Sequence, residues 1–536
     1  AGMGNKLACA SCGSRGKPDE AAQEKALMYA KVKPLPGPIL SLRQLLGERL
    51  QTPDCDLYDA ARGDPNVEDV SWDGKYRQTW NLDDIGFPSA IATVQTVAEV
   101  QAVVKYAAQH CNHMGMRLCI ACGRHSHQSV LNDTFVLDLQ RLDSVEVQAD
   151  KKIAKVAGGA QQGQLDSACA PYGLATTAGH NASTGCGGLI LQGGHGFLER
   201  KFGMVVDNLL AVEVVLADGR LVTASESENS DLFWAVRGGG GNFGVIVSFS
   251  LQLHPLSDVY AGIQVHAPLG MMGLPGREDL VEQFFEKTVG GPDEATGLIV
   301  LPGGGPIVEM LLWVGAPEAG KEYFESKAVG WPFLQNSMGI KKYQTEVQRF
   351  TPPGNDNAIY QSGVLLPEFP RAAIEKLAEL VSGSHAPNSN SAVVLLPLGG
   401  QVSKVAPDAT AYCHRNMKTW VLILGAFPPG DEEQRTKTVK WVRAIKAAML
   451  PFSQGAQYGV LSEVATHGEN GKGKENIDSN KLNESDDGGA IGCMLNTAET
   501  MGKRNIYGAN LPRLQRLKAK YDPENLFRVN DNIVPM

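Results

Sequence analysis

Apolar and polar positions alternate in two rhythms along this chain. A helical rhythm runs through Val97, Val100, Val103, Val104 and Ala107, behind Thr96 as a cap. A period-two rhythm predicts strands at Pro88 to Val94, Met116 to Ala121, Phe135 to Leu139, Ile153 to Val156 and Val245 to Leu253. LLAVEVVLADGRLVTA, from Leu209, reads as a hairpin that turns at Ala217-Asp218-Gly219. Gln162 to Tyr172 reads as a helix. Upstream, Asp19 to Val32 and Ser41 to Leu50 are expected helices, the second capped by Ser41 behind Pro38. Residues 1 to about 75 read as an extension without recognisable chemistry, and Trp80 opens the compact part. His467 to Ala490 is polar and poor in apolar residues, as expected of a mobile loop.

Two glycine clusters, Gly185 to Gly196 and Gly238 to Gly244, interrupt this pattern. Without a Cβ, the backbone can lie against a flat or charged ligand, or it can simply turn tightly. Gly239 to Gly244 fits G-x-G-x-x-G, but a strand follows it rather than a helix, which argues against a dinucleotide fold of the Rossmann kind. The chain contains neither a P-loop nor a G-x-S-x-G nucleophile elbow.

Length and composition narrow the classes. The chain has 536 residues, enough for two to four domains on the soft prior of about 150 residues each. Its net charge of -9 argues against a nucleic-acid partner. No apolar run is long enough to span a bilayer. The ten cysteines do not form a disulfide-dense pattern. Cys9/Cys12 and Cys119/Cys122 have C-x-x-C spacing, but the second pair ends a strand, where alternate side chains diverge, so no metal site is expected. Sequons stand at Asn132, Asn181 and Asn483, and a glycan at Asn181 would be hard to fit among the glycines. No secretory signal is visible. From Met3, MGNKLACASC has the form of an N-myristoylation site, with Cys9 and Cys12 as palmitoylation candidates, although Ala8 stands where Ser or Thr is usual. A cytoplasmic or acyl-anchored protein is expected, with weak membrane association as its possible consequence; the alternative is a plain disordered terminus.

The loop Cys122-Gly123-Arg124-His125-Ser126-His127-Gln128-Ser129 packs N–H groups, an arginine, two histidines and two serines into a turn. A pyrophosphate needs such a nest with a cation nearby. A metal site through His125-x-His127 and ordinary surface histidines are the alternatives.

Four separated motifs, in order, together carry a resemblance. Ala121 to Ser126 is similar to R-S-G-G-H-S. Thr184 to Asn208 is similar to V-G-x-G-G-x-x-x-G-G-G-x-G-x-L-x-R-K-x-G-x-x-x-D-N, with Thr184 and Gln192 as departures. Asp231 to Val245 reads DLFWAVRGGGGNFGV. Lys518 to Pro535 reads KAKYDPENLFRVNDNIVP. Gly399 to Ser403 and His414-Arg415 resemble the G-G-x-V-S and H-R segments. Over residues 80 to 536 the chain resembles the berberine-bridge-enzyme-like FAD-linked oxidases, with the PCMH-type flavin fold of the vanillyl-alcohol-oxidase superfamily.

The resemblance implies an α+β chain. Its FAD-binding domain would comprise residues 76–255, closed by 500–536. Its substrate domain, 256–499, would be a large antiparallel sheet backed by helices. The FAD site would be built from Ala121, Cys122, Gly123, Arg124, His125, Ser126 and Gln128. The first glycine cluster would add Gly179, Asn181, Thr184, Gly185, Gly187, Gly188, Leu189, Gly193 and Gly196, and the remainder would be Gly244, Ile246 and Asn530. His125 takes the family's role of bonding the flavin 8α carbon, with His127 as rival. Some relatives add a cysteine bond to flavin C6. Asn181 occupies that position here, so no second bond is expected, and Cys186 reads as a small buried residue.

The family's catalytic tyrosine, in Y-x-N, is replaced in Met494-Leu495-Asn496, where only Asn496 matches. The base that hydride transfer requires would then come from His414, Tyr412 or Tyr507. Arg415 would stabilise charge on reduced flavin, or else form a salt bridge inside the sheet. The implied activity is oxidation of a small hydroxylated molecule, such as a sugar or secondary metabolite, with dioxygen as acceptor. A dehydrogenase with another acceptor and a flavin-containing binding protein remain the alternatives.

Overall fold

The computed structural model describes residues 29–62, 79–83, 85–267, 276–328, 333–347, 357–383, 385–454 and 506–536. The acylation pattern near Met3, the 467–490 loop, Met494 and Asn496 lie outside them, as does nearly all of the expected helix Asp19 to Val32.

The period-two segments become two sheets beside the glycine-rich stretch. In the first, Ala90–Thr93, Thr134–Asp138 and Arg117–Ala121 run parallel. In the second, Val145–Gln148, Ile153–Ala157, Val245–Gln252, Leu209–Val215 and Leu221–Ser225 pair antiparallel in that order. The hairpin closes at its expected turn, where Gly219 takes a φ of 79°. Helix Val97–Tyr106 begins at Thr96, whose hydroxyl accepts from the Glu99 amide while the Glu99 carboxylate accepts from the amides of Thr96 and Gln95.

The segment ahead of Trp80 is not a mere extension. Leu50–Gln51 adds an antiparallel edge to Ala90–Thr93, with Leu50 opposite Ala92. Leu35, Leu42, Leu46 and Leu50 are buried in one core with Val100, Val103 and Val104, each leucine contributing roughly 1.5–3 kcal/mol. Arg49 grips Glu99 with two bonds of 2.7 Å. The helix there is Leu40–Leu46, with Ile39 at its cap. Ser41 lies inside it and donates its hydroxyl to the Pro38 carbonyl at 3.2 Å.

Among the described residues a third sheet has eight strands, antiparallel throughout. Alternation gives it two apolar faces. Ile299, Leu301, Leu311, Trp313, Val421 and Ile423 pack on helices Arg277–Lys287, Arg371–Val381 and Glu432–Met449. Leu298, Met310, Leu312, Leu396 and Trp420 join the other core, which holds Phe197, Leu198 and Tyr412 from the glycine-rich side.

The C-terminal segment returns to the second glycine cluster through Lys518. This fully buried ammonium donates to Asp522 at 2.7 Å and to the carbonyls of Asn242 and Phe527 at 2.7 and 2.8 Å. Asp522 in turn accepts from the amides of Leu526 and Phe527. Asn242 Oδ1 accepts from the Ile533 amide at 2.9 Å. A buried charge is tolerated when its partners are this complete.

Candidate active site

A cavity of about 210 Å³ opens where the loop after Ala121, the two glycine clusters and the C-terminal return meet. The loop approaches the first cluster through glycine alone. A Cβ on Gly123 would stand 2.1 Å from the Gly185 nitrogen, and one on Gly185 would stand 2.4 Å from that of Gly123. Behind Gly185 the chain enters a short helix, Cys186–Leu191, where the sequence pattern shows only turns.

The wall takes Cys122, Gly123, Arg124, His125, Ser126 and Gln128 from the loop. It takes Thr184, Gly185, Gly187, Gly188 and Leu189 from the first cluster, and Gly244, Ile246 and Asn530 from the later segments. The remaining expected residues sit elsewhere. Ala121 is buried against Tyr58 and Ile91. Gly179 abuts Leu189, Gly193 abuts Met204 and Tyr412, and a Cβ on Gly196 would overlap the Ala178 carbonyl, so these three glycines serve close packing. Asn181 lies behind the wall, and its role is to hold Ser183. Gln192, Gly241, Val529 and Asp531 line the cavity without having been expected. Gly241 lies inside the second glycine cluster, and Val529 and Asp531 flank Asn530, so proximity in sequence could have found them.

Arg124 corrects the expectation of a cation for a diphosphate. Its guanidinium is fully buried, donates to Asp138 at 2.9 Å and to the Ala61 carbonyl at 2.7 Å, and anchors a turn with φ of 55°. His125, by contrast, faces the cavity. Its Nε2 lies 2.9 Å from Ser183 Oγ, and Trp80 stacks on the ring with centroids 5.0 Å apart and planes 11° apart. Burial pushes its pKa down to about 4, with Ser183 opposing, so the imidazole is neutral at pH 7. The side chain of His127 lies outside what the structure describes. Cys186 is fully buried, off the cavity wall, as expected.

The wall fits a flat ring system. A Cβ on Gly188 would project into open space, and one on Gly241 would meet only Asn530 Nδ2 at 3.8 Å, so both glycines leave room that a side chain would fill. Asn530 Oδ1 is buried without a hydrogen-bond donor among the described residues, which is what an N–H-bearing ring would supply.

Comparison with known proteins decides the cofactor. Residues 88–225 match the FAD binding domain family, and residues 495–534 match the berberine and berberine like family. The chain thus carries an FAD-binding domain and a berberine-like segment, and it is an FAD-linked oxidoreductase. It is 27% identical over 466 residues to an FAD-linked oxidoreductase of Dictyostelium discoideum, covering 85% of this chain and 91% of that one. It is 28% identical over 507 residues to a chitooligosaccharide oxidase of Gibberella zeae, covering 87% and 92%. Its fold is similar to that of berberine bridge enzyme from Eschscholzia californica, with a TM-score of 0.73 at 21% identity, covering 93% and 99%.

In this FAD-linked oxidoreductase the acid–base candidates separate cleanly. None of the three, nor Arg415, lines the cavity. Arg415 is fully buried and binds Asp207 at 2.7 Å, Thr410 Oγ1 at 2.6 Å and the Tyr412 carbonyl at 3.3 Å. Its guanidinium is therefore engaged in the internal salt bridge rather than with the flavin. Tyr507 donates to the Asp531 carbonyl at 2.7 Å, and burial raises its pKa far above the ordinary value. His414 Nε2 donates to the Ile506 carbonyl at 3.0 Å. Tyr412 differs. Its hydroxyl meets His195 Nε2 at 2.9 Å, and His195 Nδ1 meets Glu199 Oε2 at 2.5 Å. No sequence pattern ties Tyr412 to residues more than two hundred positions upstream.

Proposed function

We propose that this oxidoreductase is an oxidase that takes hydride from a hydroxyl-bearing carbon of a small molecule, a sugar or secondary metabolite, and hands the electrons to dioxygen, with FAD attached covalently at His125. The observation that carries this reading is the neutral, clamped imidazole of His125 in a glycine-walled cavity. A neutral imidazole keeps the lone pair that bond formation to a carbon needs. When bound, FAD supplies the two-electron acceptor. Gly188 and Gly241 leave room for the ring, and Asn530 Oδ1 would accept from one of its N–H groups.

For the proton we assign the Tyr412–His195–Glu199 relay. With Glu199 accepting from Nδ1–H, His195 Nε2 accepts from the Tyr412 hydroxyl, so Tyr412, which abuts Gly193 one residue beyond the cavity wall, can lose its proton inward. The chitooligosaccharide oxidase among the relatives supports the sugar class.

The test is steady hydrogen peroxide release over a panel of alcohols and sugars, paired with anaerobic bleaching of the flavin. Bleaching with peroxide on re-aeration is expected. Bleaching that only a dye can reverse would assign a dehydrogenase, and no bleaching by any panel member would sink the reading.

A further inference from the structure

Asn530 turns its acceptor, not its donors, towards a bound ring. Its Nδ2 donates to the Gly241 carbonyl at 3.0 Å and to that of Phe527 at 3.4 Å, while Oδ1 has no donor among the described residues. An oxidised flavin ring has one N–H, and a carbonyl flanks it on either side. A ring that gives this N–H to Asn530 therefore sets a carbonyl oxygen beside it, and both N–H groups of Asn530 are already engaged. A donor for that oxygen must come from elsewhere on the same corner of the cavity.

Gln192 stands on that corner. Its amide nitrogen lies 2.9 Å from where a Cβ on Gly240 would be, and Asn530 Nδ2 lies 3.8 Å from where one on Gly241 would be. The two carboxamides thus flank consecutive glycines, and both residues line the cavity. The Gly240 amide donates to the Leu191 carbonyl at 2.9 Å, which ties the corner to the residue before Gln192. Gln192 is half-buried, and its side chain makes no hydrogen bond to another described residue. The pattern that this stretch resembles has glycine here and offers no side-chain donor.

We infer that Gln192 is a flavin-binding residue whose amide donates to the ring carbonyl beside the N–H that Asn530 accepts, and so steadies the negative charge that this end of the ring gains on reduction. The inference rests on the ring placement proposed above. It fills a role for which Arg415, held by Asp207, is not available. A hydrogen bond to a charged acceptor is roughly twice as strong as a neutral one, so the amide favours the reduced ring over the oxidised one.

Sulfite titration of the holoenzyme tests this without turnover. Sulfite gives its electron pair to flavin N5, an N–S bond forms, and the negative charge passes to the carbonyl-bearing end of the ring; no oxidant is consumed. Loss of the visible band gives the dissociation constant, and the midpoint potential of the bound flavin is measured beside it. Gln192→Gly and Gln192→Leu should each weaken sulfite binding by about tenfold and lower the potential, as loss of a charge-assisted hydrogen bond does. Gln192→Glu should weaken it further, because a carboxylate opposes the charge. Bound FAD should hold in Gln192→Gly. Sulfite constants within about twofold of wild type in both the Gly and the Leu variant overturn the inference. So does a weakening in Gln192→Leu that Gln192→Gly does not share, since bulk alone would then be the cause. A wild type that binds sulfite no more tightly than free FAD does overturns it without any variant. Asn530→Leu tests the ring placement separately: FAD content and sulfite binding both at wild-type level would overturn that placement, whatever the Gln192 variants show.

Discussion

Two histidines in this enzyme are built into three-membered hydrogen-bond chains, and they differ in the last member. Behind His125 stands Ser183 and then the Asn181 amide. Beside His195 stands the Glu199 carboxylate, with Tyr412 on the far nitrogen. An amide oxygen orients a hydroxyl but takes no proton from it. It fixes a tautomer and leaves the imidazole uncharged, which suits a ring that forms a bond. A carboxylate stabilises an imidazolium, which suits a ring that receives a proton. On the function proposed above, one side chain serves two kinds of chemistry, and the third residue in each row decides which.

The comparison breaks most plainly at the rings themselves. His125→Ala should abolish acid-stable flavin entirely, read by acid precipitation and peptide mass. Tyr412→Phe should lower kcat by about 10²-fold with KM little changed, as loss of an acid–base group does; an unchanged kcat would leave the Tyr412 chain with a structural role only. Asn181→Asp exchanges one ending for the other. It should raise the pKa of His125 by about 1–2 units through the added negative charge, measured by NMR of the ring in protein free of flavin.

The smallest effect concerns acid stability. Burial first lowers His125 to about 4 and His180 to about 3, with His195 adding to the second. Between the unfolded value of about 6.5 and the folded one, the unfolded chain binds protons that the folded chain does not. Stability should therefore fall as pH drops from 6.5 towards 4, by up to about 1.4 kcal/mol per unit for each histidine. Asp166, raised to about 8 by burial, acts in the opposite sense over that window. Urea midpoints at pH 7 and pH 5 should separate further in Asp166→Asn than in wild type.

What the sequence makes legible is what neighbours in the chain determine. Thr96 and Glu99 are three residues apart, and their capping box is written in the sequence. The hairpin from Leu209 is equally local. The edge strand Leu50–Gln51 has two residues and no alternation to announce it, and its partner lies forty positions on. Arg124 looks like an anion ligand until the parallel register sets Asp138 level with the end of its strand. The glycines divide in the same way. Gly188 and Gly241 border space, whereas Gly193 and Gly196 border protein, and the letter G does not distinguish them. Tyr412 and His195 meet only because the eight-stranded sheet closes over the glycine-rich stretch.

The Lys518 latch bears on how the protein is made. Val529, Asn530 and Asp531 form part of the cavity wall and are synthesised after every other residue of that wall. Until they emerge and Lys518 settles among its carbonyls, the cofactor has a floor but no closing side. Yellow colour in a preparation of this enzyme is then a certificate that synthesis has passed Asp531, and a chain broken off before Lys518 should come through purification white.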